Sequence, residues 1–404
     1  MGKLMCNAAI AAIALAGCVD HKDSISGTTS FRVELVTPTD PGDVGHRLSN
    51  TQRTITVNLT ALLPDGSVDT AYSNDVSVYV QYLGTLTPAL GAPPLMKFHV
   101  ENGVAMNQSV DLPPTFGPTT LWIDDDQAAH PTYATGTSPT LWYEDPTIAD
   151  VQTPDPTQLL AALLVSPLTG KQVTVGRSRY GANGRLVVNS VFSQGYTVQD
   201  VNCADAAGSP PCTSQPYDTI EVFSFSQPSD QSNHLLKVGQ TIHGFSGGLS
   251  DFNGLTEVGF PVTMTSGDDA TVNLARIPPP VLFDTTWFDS LGTGPAPDGF
   301  AISGKINFER YEAALIQVKN AKVCDLDDDF ATFGQWKLDP AGVGGNCAGN
   351  RNIINVVTSG VISDLDPTTL VGQTLPSVVG VLRSVDTIPV WIIYPRSSAD
   401  ITRQ

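Results

Sequence analysis

Gly244-Phe245-Ser246-Gly247-Gly248 satisfies G-x-S-x-G, and His243 stands directly before it. A nucleophile elbow needs a strand before the serine and a helix after it, so that the hydroxyl projects from a strained turn. Here Gly248 to Glu257 reads as strand and turn, so the motif is read as a Gly-rich bulge. A serine hydrolase using Ser246 stays as an alternative that requires His243 or His234 and an acid within hydrogen-bond reach of the hydroxyl. Asp325, Asp327 and Asp329 place carboxylates at alternate positions, as many calcium loops begin, because a hard cation wants several oxygens. The EF-hand pattern then fails, with Phe330 where glycine is needed and Trp336 where the bidentate glutamate should stand. The three are kept as metal candidates beside the reading of a solvated acidic loop, and Asp124-Asp125-Asp126 meets the same objection. His21, His46, His99, His130, His234 and His243 show no H-E-x-x-H and read as scattered surface or core residues. These residue types and spacings therefore assign no catalytic residue and no cofactor, and no metal site beyond the candidates Asp325, Asp327 and Asp329.

Two other groups could bind rather than react. Tyr196, Phe223 and Phe225 fall on neighbouring expected strands and offer rings on which bases or sugars stack. No Arg or Lys is interleaved with them, so core packing competes with that role. Lys171, Arg177, Arg179 and Arg185 form the one modest basic cluster, the place for a polyanion if one binds. Cys203, Cys212, Cys324 and Cys347 sit in two local pairs. In an oxidising compartment the natural connectivity is Cys203 with Cys212 and Cys324 with Cys347, although four cysteines formally allow three pairings. Zinc would need Cys-x-x-Cys spacing or histidines beside the cysteines, and neither occurs.

Met1-Gly2-Lys3 precedes an apolar run to Leu15, the charge and length of a signal peptide. It is too short for a membrane span, which needs ~20 apolar residues. The run ends in Leu15-Ala16-Gly17-Cys18, which resembles the lipobox of bacterial lipoproteins. The resemblance implies cleavage before Cys18, lipidation of its thiol, and the membrane as a partner, since two or more acyl chains anchor stably where one does not. Val19 rather than Asp after the cysteine is similar to the pattern that the enteric sorting rule sends to the outer membrane. An ordinary secretory signal is the alternative.

The chain has 404 residues, 41% of them hydrophobic, and 40 acidic against 21 basic residues give a net charge of −19. A surface this acidic repels phosphate backbones, which disfavours nucleic acid and leaves an envelope protein or a glycan as the expected partner.

The elements that must position these residues are mostly strands. Asp20 to Ser30 reads as a polar tether. Phe31 to Val36, Thr54 to Thr60, Val76 to Val80 and Thr119 to Ile123 alternate apolar and polar residues between Pro/Gly/Asp/Asn turns, as in a β-sandwich. Thr157 to Leu164 alone reads as a short helix. The expected divisions are a signal peptide over 1–17, an acylated tether over 18–30, an immunoglobulin-like sandwich over 31–145 and a linker with a short helix over 146–164. An OB-like domain over 165–280, a linker over 281–299 and a second OB-like domain over 300–404 follow.

Residues 165–265 contain Gly195-Tyr196-Thr197-Val198-Gln199-Asp200, then Ile220 to Phe223, Val238-Gly239-Gln240-Thr241-Ile242, and Leu249 to Glu257. This succession resembles the OB-fold region that precedes the catalytic part of large bacterial extracellular nucleases. Gln240 replaces the usual Asp, and about one extra residue before Gly247 would be absorbed by a β-bulge. Residues 300–401 look like a second copy, with Tyr311 to Asn320 similar to the family's "Y-E-G-x-L-V-x-V-x-N" strand. No counterpart of the family's phosphodiesterase half follows, so the resemblance implies architecture and argues against activity. The fold expected is mainly β, an immunoglobulin-like β-sandwich followed by two OB-like Greek-key barrels. The function expected is that of a non-catalytic envelope lipoprotein serving as a binding or scaffolding module. An extracellular nucleic-acid-binding or nuclease-accessory protein is the alternative, discriminated by whether the Lys171 to Arg185 cluster makes a positive groove beside Tyr196.

Overall fold

The computed structural model describes residues 27–82, 93–126, 134–154, 165–203, 211–266, 271–288, 307–350, 352–385 and 390–403. Cys18, the signal segment, most of the tether and the helix expected over Thr157 to Leu164 lie outside the described residues. The protein is mainly β, and no helix among the described residues is long and apolar enough to cross a membrane. Two compact units divide it, one of Met1–Gln81, Thr87–Pro113 and Thr119–Leu141, the other of Tyr82–Leu86, Pro114–Pro118 and Trp142–Gln404.

The first unit is a β-sandwich of β1 (Ser30–Thr37), β2 (Thr54–Leu62), β3 (Asn74–Tyr82), β4 (Met96–Val100), β5 (Val104–Asp111), β6 (Pro118–Asp124) and β7 (Thr135–Thr137). All four strands expected from alternation are present. Their period-two pattern buries Ile55, Val57 and Leu59 on β2 and Leu121 and Ile123 on β6, while the residues between them face outward. The strand order β4-β3-β6-β7-β1-β2-β5 is immunoglobulin-like, its two halves joined by a parallel bridge from Ser30 to Thr135. At that seam a Cβ on Gly136 would lie 2.3 Å from the Phe31 carbonyl oxygen, so only glycine fits. β8 (Leu141–Trp142) leads into the second unit.

The second unit begins with a helix inside the segment read as a linker. Thr147 and Asp150 form a capping box on α1 (Ile148–Gln152), and the helix buries Ile148 and Val151 in the core of the first barrel. That barrel comprises β9 (Gln172–Val175), β10 (Gly184–Phe192), β11 (Gly195–Asn202), β12 (Thr219–Phe223), β13 (Thr241–Ile242), β14 (Gly244–Phe252) and β15 (Leu255–Met264). Only His243 separates β13 from β14, and the two run on as one strand. It reaches β10 at one end and β15 at the other, while β12 and β15 pair in parallel. The circuit β10-β11-β12-β15-β14/β13-β10 is therefore closed, with the connectivity of an OB-like Greek-key barrel.

The second barrel repeats that circuit. Its elements are β16 (Val281–Leu282), β17 (Leu315–Val323), α2 (Asp328–Phe333), β18 (Gln335–Asp339), β19 (Ile354–Val357), β20 (Thr374–Val385), β21 (Val390–Tyr394) and β22 (Ile401–Thr402). β17 and β20 close the ring and β19 pairs with β21 in parallel. The linker expected over 281–299 needs correction at its start. Val281 and Leu282 pair with β17, and Phe283, Trp287 and Phe288 pack in the second core with Phe308 and Trp391. The three prolines before them are punctuation, but the aromatic side chains that follow are too apolar to be left in water.

Each barrel carries one disulfide, Cys203–Cys212 with Cα atoms 4.8 Å apart and Cys324–Cys347 with Cα atoms 5.9 Å apart. The barrels also bond to each other within the unit. Glu221 of β12 meets the Arg383 guanidinium of β20 at 2.7 Å, Thr256 donates its amide to Glu312 Oε2 at 3.0 Å, and Arg396 donates to the Asn189 carbonyl at 3.2 Å. Arg383 lies between the rings of Phe192 and Tyr394.

Candidate binding site: an aromatic platform on the first barrel

Three phenylalanines gather on the outside of the first barrel. Phe223 ends β12, and Phe225 follows two residues later in the left-handed region at φ 57°. Their ring centroids are 4.5 Å apart, edge to face. Phe260 of β15 is also left-handed, at φ 52°, and stacks on Phe225 with centroids 4.5 Å apart.

A β-bulge produces this arrangement. Ser246 pairs with Val262 and Gly248 with Gly259, so Phe260 and Pro261 together stand opposite Gly247. Pro261 has no amide hydrogen to give the ladder, which suits a bulge, and the extra residue turns Phe260 outward. The bulge expected to absorb an extra residue before Gly247 is not on that strand: the additional residue belongs to β15.

Phe225 and Phe260 are 52% and 79% exposed. A left-handed non-glycine residue costs roughly 1–2 kcal/mol, and one stacked aromatic pair returns about 0.5–1.5 kcal/mol. Stacking alone does not cover two such residues, and exposed rings gain little from burial. Exposure of both rings together with this backbone strain singles the pair out as a candidate contact surface.

Tyr196, grouped with Phe223 and Phe225 in the sequence reading, does not join them. It is fully buried in the barrel core and its hydroxyl shares a 2.7 Å hydrogen bond with Thr263 Oγ1. Alternation on β11 sends Tyr196 and Val198 inward, so the ring is packing and the stacking role is withdrawn.

The basic cluster also comes apart. Lys171 is largely buried, its Nζ donates to the Pro167 carbonyl at 3.2 Å, and burial pushes its pKa down to about 8. Arg177 pairs with Glu144 at 3.3 Å and donates to the Asp145 carbonyl. Arg179 binds Asp218 at 2.7 Å, and burial of that carboxyl pushes it up to about 7 against the pull of the guanidinium. Arg177 and Arg185 do line one cleft of about 480 Å³ with Ser178, Thr241 and His243, but Tyr196 is not beside it. Four cations near in sequence are thus divided between structural pairs and one cleft.

The other candidates are placed as follows. Asp327 caps α2, and with Asp329 it holds the ammonium of Lys337, while the Asp325 amide bonds the Gly345 carbonyl. Burial alone would lower Lys337, but hydrogen bonds to Asp327 and Asp329 raise it. The acidic loop therefore serves a nearly buried lysine, and no set of three His, Cys, Asp or Glu side chains among the described residues could hold a metal ion. Ser246 lies mid-strand in β14, opposite Val262, with β15 rather than a helix following. His234 bonds Asp230 at 3.3 Å instead. Although burial opposes its charge, Asp230 is held down at about 2 by the His234 and Ser232 amides and the Thr265 hydroxyl.

Phe260 was not singled out from the sequence. Gly259-Phe260-Pro261 inside an otherwise alternating strand was its signal.

No protein-family profile matches this sequence, and no curated protein and no solved structure matches it either.

Proposed function

We propose that this is a non-catalytic, lipid-anchored protein of the cell envelope, tethered through Cys18, whose first barrel presents a contact surface to an envelope partner. The observation that carries the reading is the exposed Phe225–Phe260 stack, with both residues held in left-handed backbone. The lipobox-like Leu15 to Cys18 supports the anchor, and the resemblance of the barrel segments to the OB region of extracellular nucleases fits a binding role. The net charge of −19 and the dispersal of Lys171, Arg177, Arg179 and Arg185 argue for a partner without a phosphate backbone.

Metabolic labelling with palmitate tests the anchor: the wild type takes up label and Cys18→Ser does not. Co-sedimentation of the purified protein with isolated envelope material tests the surface. Retention that falls at least about fivefold, ~1 kcal/mol, in the Phe225→Ser/Phe260→Ser double variant supports it. Retention indifferent to the two substitutions refutes it.

A further inference from the structure

We infer that the platform takes a neutral glycan chain, laid over a bare strip of backbone beside the rings; this rests on the platform being the contact surface. Gln172, Gly248, Gly259 and Phe223 are successive register partners across β9, β14, β15 and β12. A Cβ on Gly248 would meet nothing closer than Gln172 Oε1 at 3.9 Å, and one on Gly259 only the Gly248 carbonyl oxygen at 3.9 Å. Two neighbouring strands, about 4.8 Å apart, therefore present open backbone next to Phe223 and Phe260. One row further along, Ser250 pairs in register with Glu257, and the serine hydroxyl bonds that carboxylate.

This strip has an aromatic side and a polar side. A pyranose ring has a C–H face that packs on an aromatic ring and a hydroxyl edge that donates to a carboxylate or exchanges hydrogen bonds with an amide or hydroxyl. Phe260 and Phe225 supply the first, and Glu257, Ser250 and Gln172 supply the second. Charge narrows the class. Glu257 stands at this edge, and Arg383, the nearby cation that pulls on Glu257, is already engaged by Glu221, Phe192 and Tyr394, so no cation is left open there for uronates and phosphorylated glycans. A peptide fits less well. β14, β15 and β12 are each paired on both sides, so the two-glycine floor offers no ladder edge for an added strand; of the four strands only β9, at the Gln172 end, is paired on one side alone among the described residues.

Isothermal titration of the full chain in detergent with neutral glucose hexasaccharides, one β-1,4-linked and one α-1,4-linked, tests the inference, with a galacturonate hexamer as the anionic counterpart. The expected result is saturable, salt-insensitive binding of at least one neutral chain. Phe260→Ser should weaken it about tenfold, ~1.4 kcal/mol, and Gly248→Val should abolish it by filling the open floor. Both positions are open to solvent, and unchanged circular dichroism will show that the variants fold. The inference is overturned if neither neutral chain binds, if the galacturonate hexamer binds as well, or if Phe260→Ser changes nothing. Envelope retention separates the two levels. If retention depends on Phe225 and Phe260 but is destroyed by protease treatment of the envelope material and not by removal of its glycans, the ligand class is wrong and the platform stands. If retention ignores both phenylalanines, both readings fall.

Discussion

Replacing Glu221 by glutamine isolates the energy of one buried carboxyl at the junction of the two barrels. Glu221 is 1% exposed, one oxygen bonds Arg383 at 2.7 Å, and Oε2 has no hydrogen-bond partner. Burial pushes its pKa from 4.5 up to about 7, with Arg383 pulling the other way. In the window between those values the folded chain holds a proton that the unfolded chain has released, so stability falls as pH rises from 4.5 to 7 and is flat on either side. The shift corresponds to about 3 kcal/mol. Glu257 is raised by burial as well, Glu312 is raised well above its ordinary range, and Asp218 titrates in the same window. The wild-type slope therefore exceeds the share of Glu221, and the informative quantity is the difference between proteins. Asp230 has the opposite sign, but its contribution is lost only as pH falls below 3.8 towards about 2, outside the window. Glutamine keeps an oxygen for Arg383 and does not titrate. Urea denaturation followed by the fluorescence of buried Trp336 and Trp391 reads the unfolding free energy. Between about pH 5 and pH 8 the gap between Glu221→Gln and wild type should move by roughly 3 kcal/mol in favour of the variant. Parallel profiles for the two proteins would show that Glu221 ionises normally in the folded state, and the account of the junction would fail.

The remaining expectations concern the covalent and basic features. Removing the second-barrel disulfide with Cys324→Ser/Cys347→Ser opens a loop with a sequence separation of 23 and should cost about 3 kcal/mol. A chemical-denaturation midpoint that does not move would contradict this. Lys171→Met removes a largely buried ammonium whose pKa has fallen from 10.5 to about 8, and it should stabilise the protein by on the order of 1 kcal/mol at neutral pH. The penalty is full below about 8 and gone by 10.5, so the advantage measured by thermal unfolding should fade over that interval; a gain independent of pH would point to packing instead.

Strands with one face in water were legible because alternation is a direct consequence of backbone geometry. Thr54 to Thr60 and Thr119 to Ile123 became strands with the expected faces buried. The closed circuit of each barrel was legible only through resemblance, since the parallel pairing of β12 with β15 joins residues more than thirty positions apart and no local pattern encodes it. Ile148, Val151 and Trp287 fall within the expected linkers yet pack into the barrel cores, because large apolar side chains beside proline-rich segments still need burial. Proline restricts its own φ and its predecessor, which says where an element cannot run and nothing about what the next side chain packs against.

The same limit explains the site. For Lys171, Arg177, Arg179 and Arg185, closeness along the chain is a poor proxy for closeness in space. In the fold, Arg179 finds Asp218, thirty-nine positions later, and Arg177 finds Glu144, thirty-three positions earlier. A local density of cations forms a patch only if no carboxylate reaches them first, and a chain with 40 acids and 21 bases makes that outcome the unusual one. For aromatics the proxy fails in the other direction. Tyr196 and Phe223 lie on adjacent strands, yet alternation sends one to the core and leaves the other at the surface, while Phe260 reaches Phe225 only because a bulge shifts the register of β15. Proline inside a strand forces such a shift at an edge or a bulge, and an aromatic residue directly before it, following glycine, is then released from the alternation that would otherwise fix its face. In this chain the departure from period two, rather than the period itself, is what holds the rings in water.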